Sequence, residues 1–252
     1  MAQGLPRTHF NSAGLVRLLS GLAVADVAEA RQSFAERLGD WLDFTHALSL
    51  YSALDAAAGE SGAPAAAPSP ARQAFARVRG TLAESITIDG VQNPGKARIA
   101  LPAPLPHDTV ESASDFGPYH RYYLAHQRDM NANVGPLRAT VRAALSRQSP
   151  VLARLAALDA AMDQALADRE RTLLATVPAL LAGRFERLFQ AHRAARADAE
   201  TADDPARWME PGGWLARFCG EMRAVLLAEL ELRLQPVAGL IEALDNEVEK
   251  QQ

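Results

Sequence analysis

Cysteine, lysine and aromatic residues are rare in this chain, and their low numbers exclude several classes of protein. Of its 252 residues, one is cysteine, two are lysine and 6% are aromatic. Because Cys219 is alone, an intramolecular disulfide is impossible, and a reducing compartment is expected. Hydrophobic residues make up 48% of the chain, which is enough for a globular protein with a sizeable core.

A long hydrophobic run is also missing. No apolar segment approaches the roughly 18 residues that a membrane-spanning helix requires. Segment 15–25 is apolar enough to suggest a secretory signal, but Arg17 lies inside it and Asp26 follows it. We therefore interpret it as an amphipathic helix that docks on a core. The expectation is a cytoplasmic protein with no direct insertion into the membrane.

The sequence has no basic domain. It carries 26 basic and 30 acidic residues, a formal net charge of −4, and the acidic excess lies in residues 221–252. A nucleic-acid binder draws most of its affinity from neutralising phosphates and needs a basic face. Nucleic acid is therefore not an expected partner, unless folding gathers separated arginines into a groove.

Apolar residues recur at spacings of three and four along most of the chain, which predicts an all-α fold. One predicted helix covers 27–57. Another begins at Ser149-Pro150, a typical helix start, and continues to about residue 196 with a kink at Pro178. A third covers 214–234, and its apolar surface is wide enough for burial on two sides or for a subunit interface.

The predicted helix 150–196 determines the expected shape. At 1.5 Å per residue it would be about 70 Å long, whereas a compact globule of this chain length has a diameter of roughly 45 Å. We therefore predict a single domain, 1–252, built as an elongated helical bundle with long amphipathic, coiled-coil-like helices. Two irregular segments interrupt it, a flexible linker at 58–70 and a long loop at 90–111.

Smaller features mark the boundaries of the other elements. A strand-like fragment is predicted at Ser85–Asp89, and Gly135-Pro136 predicts a bend between two helices. Pro236 predicts the start of a last helix. Asp159 and Asp163 lie one turn apart and are interpreted as part of a solvated charged face.

The segment Gly90–Lys96 matches the glycine and lysine spacing of a phosphate-binding loop. The next position is Ala97, where such a loop has serine or threonine to hold magnesium. No helix follows to direct its N-terminus at a phosphate, so a plain turn is the favoured interpretation. The six histidines and one cysteine lack metal-ligand spacing. We predict no metal, no cofactor and no assigned catalytic residue.

One aromatic seam is the best candidate for a pocket. Tyr119, Tyr123 and His126 share a helical face, and Asp129 could orient His126 as a general base. Trp41 is the fifth candidate for this pocket. The alternative is a packed, hydrogen-bonded seam with no ligand, which such aromatic clusters form more often.

Parts of the sequence resemble a known family. These parts are Arg7-Thr8, Leu15-Val16-Arg17-Leu18-Leu19, the segment from Phe34 to Phe44, Tyr119-His120-Arg121 and the long helix. They resemble a proteobacterial family known only as a domain of unknown function. The family has no established catalytic motif, so the resemblance implies no site residues. It implies an association with gene clusters that encode a proton-channel protein of the MotA/TolQ/ExbB type and an OmpA-like protein.

Two functional hypotheses follow. The first is a non-enzymatic cytoplasmic scaffold or adaptor that forms homo-oligomers and binds protein partners, among which the resemblance implies a proton-channel-type membrane assembly. The alternative is a helical enzyme or small-ligand sensor with a pocket near His126. The length of 150–196 and the wide apolar surface at 214–234 favour the first.

Overall fold

The computed structural model describes residues 14–22, 41, 43–55, 70–109, 112–196 and 203–250. Most of these residues are helical and none is in a strand, so the predicted all-α class is confirmed. Apart from Pro70, the linker predicted at 58–70 lies outside the described residues, as does the first part of the helix predicted at 27–57.

Eight α-helices are described, together with one short 3₁₀ helix at Ser112–Ser114. The α-helices are α1 Gly14–Gly21, α2 Phe44–Asp55, α3 Pro70–Thr87, α4 Gly117–Gln148, α5 Pro150–Leu174, α6 Val177–Arg196, α7 Pro205–Trp208 and α8 Trp214–Lys250. Helix α8 has 37 residues and is therefore about 55 Å long. This length exceeds the roughly 45 Å diameter of a compact globule of the same chain length.

Helix α8 is the centre of the bundle. It packs against α1, α3, α4, α5, α6 and α7, and the side chains of Phe218, Met222, Val225 and Leu226 on it are fully buried. Leu234, on another side of the helix, is also buried. Most of the wide apolar surface at 214–234 is therefore covered within the chain.

The helix predicted at 150–196 is two helices. Helix α5 ends at Leu174, Ala175 and Thr176 form a turn, and Pro178 is the second residue of α6. Proline has no N–H to donate to the carbonyl four residues before it, and here that carbonyl belongs to Leu174. Gln127 Nε2 donates to it instead, at 3.1 Å. Because both Leu174 and Pro178 are buried, water could not have replaced the missing bond.

The other two prolines that were predicted to interrupt helices do not. Helix α4 continues through Pro136, and α8 continues through Pro236. Both prolines are exposed, so solvent can reach the helix backbone on that side. The predicted bend at Gly135-Pro136 and the predicted helix start at Pro236 are thus wrong.

The strand-like fragment at Ser85–Asp89 is also corrected. Helix α3 extends to Thr87, because Leu82, Ser85 and Ile86 lie on one buried helical face. The chain from residue 88 to 109 is then a loop without helix or strand. It is followed by the 3₁₀ helix and by α4, which opens with Gly117-Pro118.

Candidate functional site

The predicted aromatic seam lies on α4 and faces α6 and α8. Tyr119, Tyr123 and His126 are all buried. The Tyr119 ring lies 5.6 Å from the rings of both Phe185 and Phe218. A ligand could reach these three side chains only by displacing packed neighbours.

His126 and Asp129 do not form the predicted base–orienter pair. The ring of His126 lies edge-on against Tyr122, with 4.6 Å between the ring centres, and its Nε2 has no hydrogen-bond partner among the described residues. Burial lowers the pKa of His126 to about 4; Asp129 opposes this shift and Arg98 adds to it. Asp129 itself forms an ion pair with Arg98. His126 is therefore neutral at pH 7.

This buried histidine predicts an acid-sensitive fold. The pKa of His126 is lower in the folded protein than its ordinary 6.5, so its stabilising effect is complete above about pH 6.5 and is lost as the pH falls towards 4. Since one pKa unit corresponds to 1.36 kcal/mol, we expect a loss of about 2–3 kcal/mol from this residue. Denaturant unfolding at a series of pH values measures it.

A matched pair of variants isolates the effect of His126. His126→Leu should flatten the dependence of unfolding free energy on pH between about 6.5 and 4. His120→Leu, which changes an exposed histidine of the same helix, should leave it as in the wild type. Parallel pH profiles for the wild type and His126→Leu would contradict the assignment.

Trp41, the fifth candidate, lies against a different helix. The Arg169 guanidinium of α5 lies over its ring, 5.1 Å from the ring centre. This cation–π contact is a surface interaction of modest strength. The described contacts of Trp41 therefore place it beside α5, whereas Tyr119 contacts α6 and α8 and Tyr123 contacts α8.

The loop with phosphate-loop spacing is organised around its own carboxylate. Asp89 is buried, and its Oδ1 accepts hydrogen bonds from the backbone N–H groups of Val91, Gln92 and Asn93 at 2.8–3.0 Å. Arg223 donates to Asp89 Oδ2 at 2.5 Å. Burial would raise the pKa of Asp89, but these hydrogen bonds and Arg223 hold it below its ordinary value. Three backbone amides of this loop are thus already bonded to Asp89.

A second buried polar cluster lies between α4 and α8. Glu229 is 0% exposed. Its carboxylate accepts hydrogen bonds from Tyr123 Oη at 2.7 Å, from Gln127 Nε2 at 3.0 Å and from Arg233 Nη2 at 2.7 Å. Arg233 also donates to Asn131 Oδ1 at 2.6 Å. We call these five residues the Glu229 cluster; it neutralises a buried charge and joins the helices.

The two aspartates interpreted as a solvated face are instead paired between helices. Arg138 and Arg142 of α4 each contact both Asp159 and Asp163 of α5, at 2.5–2.7 Å. Burial would raise the pKa of Asp159, but its hydrogen bonds to the two arginines hold it below its ordinary value. These carboxylates join α4 to α5 and are not available as acid or base.

The described cavity lies elsewhere, between the end of α6, α7 and the first turn of α8. This cleft has a volume of about 520 Å³. His192 lies on its wall with Nε2 2.7 Å from Asp203 Oδ2, and the His192 ring stacks on Trp214. Burial would raise the pKa of Asp203, but the hydrogen bond with His192 keeps it below its ordinary value.

The loop Pro211-Gly212-Gly213 forms one side of the cleft. Gly212 has a φ of 91°, which favours glycine. A Cβ on Gly213 would lie 2.3 Å from the carbonyl oxygen of Trp208, so no other residue fits there without a shift. Sequence reasoning did not find this cleft, because His192 and Asp203 belong to separate elements and form no local motif.

Within the described ranges, no three histidine, cysteine or acidic side chains are grouped as metal ligands. None of the helices there combines the length and apolar character that a bilayer span needs.

Comparison with known proteins gives one finding. A family model matches residues 1–246. The chain belongs to the family described as "Protein of unknown function (DUF3348)". Membership of a family without assigned function, which the resemblance indicated, is thereby confirmed. No curated protein and no solved structure is significantly similar to the chain.

Proposed function

We propose that this protein is a non-enzymatic helical adaptor that binds other polypeptide chains, beginning with a second copy of itself. The observation that carries the proposal is the surface of α2. Leu48, Tyr51 and Leu54 are 55%, 66% and 61% exposed, on successive turns of one short helix. Large apolar side chains clustered on a surface mark interaction sites.

The charge pattern of α2 favours a second copy as the occupant. Apart from Asp55 at its last position, α2 contains no Asp, Glu, Lys or Arg. An uncharged face meets no repulsion from an identical face, and a twofold dimer pairs the same patch on both subunits. We call Leu48, Tyr51 and Leu54 the α2 patch.

Helix α5 supplies the surroundings that a dimer interface needs. A stable interface buries about 800 Å² on each partner, more than three side chains provide. Helix α2 packs on α5, and α5 carries the exposed residues Asp168-Arg169-Glu170-Arg171 near its C-terminal end. An apolar centre with a rim of both charges is the usual composition of an interface.

The non-enzymatic part of the proposal is supported by the state of the buried carboxylates. Glu229 and Asp159 are each held by arginine, and Asp89 is held by backbone amides and Arg223. A carboxyl group that acts as a general acid or base must be able to exchange protons with a substrate. These three groups instead stabilise the fold.

We further propose a cytoplasmic location and a partner in a proton-channel-type membrane assembly of the envelope. The support is the resemblance to a family that occurs beside such genes. Affinity capture of the native protein from membrane and soluble fractions tests it. We expect the channel-type protein to be recovered with the wild type, and to be lost when the gene cluster is deleted. Capture of this protein alone from both fractions would contradict the proposal.

Self-association has a direct test in light scattering coupled to gel filtration. We expect the wild type to approach twice the chain mass of 27.1 kDa as its concentration rises. Leu48→Lys/Tyr51→Lys should raise the dissociation constant of the dimer about tenfold or more, because two charges from each subunit would be desolvated at the interface. Lysine is a good helix former, so α2 remains helical.

The control is Leu105→Lys, which places a charge at another exposed leucine, 53% exposed in loop 88–109. It should dimerise like the wild type. A wild type that stays at monomer mass throughout the concentration series would refute the proposal. Equal dissociation constants for Leu48→Lys/Tyr51→Lys and Leu105→Lys would also refute it.

A further inference from the structure

The α2 patch has the same order of residues in both directions along the helix. Tyr51 is its centre, and a leucine lies three residues to either side, Leu48 and Leu54. A copy of α2 that runs in the opposite direction can therefore meet the patch with leucine against leucine and tyrosine against tyrosine. A copy that runs in the same direction can do so too, so the apolar residues alone leave the direction open.

Ser52, the exposed polar neighbour of Tyr51, is compatible with either direction. Its Oγ donates to the carbonyl oxygen of Leu48 in the same helix, at 2.9 Å. Since this hydroxyl already has a partner inside α2, a second copy can cover it without leaving its proton unpaired.

The aspartates at the two ends of α2 disfavour a parallel pair. Asp43 precedes the helix, is 64% exposed, and accepts a hydrogen bond from the backbone N–H of His46 at 2.8 Å. Asp55 is the last residue of the helix. A twofold pair of parallel helices would place Asp43 beside Asp43 and Asp55 beside Asp55. Like charges that face each other across an interface weaken binding.

An antiparallel pair centred on Tyr51 separates these charges. Each residue then lies level with the residue that is equally far on the other side of Tyr51. Asp55 comes level with Ala47 of the second copy, and Asp43 lies beyond the end of the other helix. The nearest aspartates of the two copies, Asp43 and Asp55, are then four residues or about 6 Å apart along the helix axis.

The helix dipole favours the same direction. A carboxylate at the C-terminal end of a helix is repelled by the partial negative charge there, and α2 ends in Asp55 without a basic residue in its last turn. Its first turn carries partial positive charge and contains no acidic residue. In an antiparallel pair, the first turn of each α2 lies beside Asp55 of the other copy and offsets this repulsion.

We infer that two copies of the chain pack α2 against α2 in opposite directions, on a twofold axis at Tyr51, with Leu48 of each copy against Leu54 of the other. This arrangement rests on the proposed self-association through the α2 patch, and it adds the direction of the second copy and the contacts that it makes.

Disulfide formation between single-cysteine variants of the full chain tests this arrangement. A disulfide needs Cβ atoms about 3.5–4.5 Å apart, and Cys219 is buried, so the new cysteine is the accessible thiol. Leu48→Cys is mixed with Leu54→Cys, one of them carrying an affinity tag, and the mixture is oxidised. We expect about fivefold more mixed disulfide dimer than either variant gives alone, because identical positions would lie about 9 Å apart along the axis.

Ser49→Cys is the matched control. Ser49 is an exposed residue of α2, two residues and therefore about half a turn from Tyr51, so it should give little disulfide dimer. More dimer from Leu48→Cys or Leu54→Cys alone than from their mixture would overturn the antiparallel arrangement in favour of a parallel one. A wild type that is dimeric in light scattering but yields no mixed disulfide would overturn the direction alone, whereas a monomeric wild type would refute the self-association as well.

Discussion

Arg233→Met should lower the free energy of unfolding by about 3–5 kcal/mol, the range for removing one partner of a buried ion pair. The reason is that the carboxyl group of Glu229, 0% exposed, would lose its guanidinium partner. Tyr123 and Gln127 would still donate hydrogen bonds, but neither carries a positive charge. In a chain of this length the melting temperature should fall by roughly 6–20 °C.

A double variant separates the contribution of the Glu229–Arg233 ion pair from that of side-chain packing. Glu229→Leu/Arg233→Met removes both charges, so it should recover much of the stability that Arg233→Met loses. Arg79→Met is the matched control, because Arg79 pairs with Glu231 across helices but both are half-exposed. It should cost less than about 1 kcal/mol. Equal losses for Arg233→Met and Arg79→Met would contradict the role given to the Glu229 cluster.

Phe185→Ala should destabilise the protein by a similar amount, about 3–5 kcal/mol. Phe185 is buried at the meeting point of α4, α6 and α8. Its ring centre lies 5.1 Å from that of Phe218, 5.3 Å from Trp214 and 5.6 Å from Tyr119. Alanine would leave a cavity and remove these three ring contacts, of which those with Phe218 and Trp214 are edge-to-face. Denaturant unfolding monitored by circular dichroism measures the loss.

Two controls accompany Phe185→Ala. Phe185→Leu keeps most of the volume and should cost less than about 1.5 kcal/mol. Tyr51→Ala removes an aromatic ring from an exposed position and should have little effect on the unfolding of the monomer. A loss below about 1 kcal/mol for Phe185→Ala would mean that the aromatic cluster is not the core that its ring distances indicate.

The sequence was sufficient to predict the helical class but not where the helices end. Pro178, Pro136 and Pro236 give the same local signal. Only the first is buried, and only there does the chain turn, with Gln127 bonding to the carbonyl of Leu174. That bond comes from another helix, so no local pattern predicts it.

The wide apolar surface at 214–234 was predicted, but only the structure shows what covers it. Burial on two sides and a subunit interface were both open, and the six helices around α8 favour the first. The proposed self-association is therefore assigned to the α2 patch. The spacing of Leu48, Tyr51 and Leu54 could have signalled this patch, but in a sequence such spacing is equally typical of a core stripe.

The candidate site illustrates the same limit. The tyrosines and His126 share a helical face, as predicted, and their burial comes from Phe185, Phe218 and other residues distant in sequence. The sequence could have identified Glu229, because an acidic residue within the apolar stripe of a helix needs a partner. Arg233 lies one turn further along the same helix. His192 and Asp203 are brought together by packing alone.

Cross-linking through a single new cysteine tests the central claim, that the α2 patch binds a second copy of the chain. Cys219 is buried, and burial raises its pKa to about 12, so it does not compete as a thiolate. Tyr51→Cys then places an exposed thiol at the centre of the patch. A short thiol-reactive cross-linker should give a covalent dimer with Tyr51→Cys and little with Leu105→Cys; monomer alone from Tyr51→Cys, or equal dimer from both, would contradict the claim.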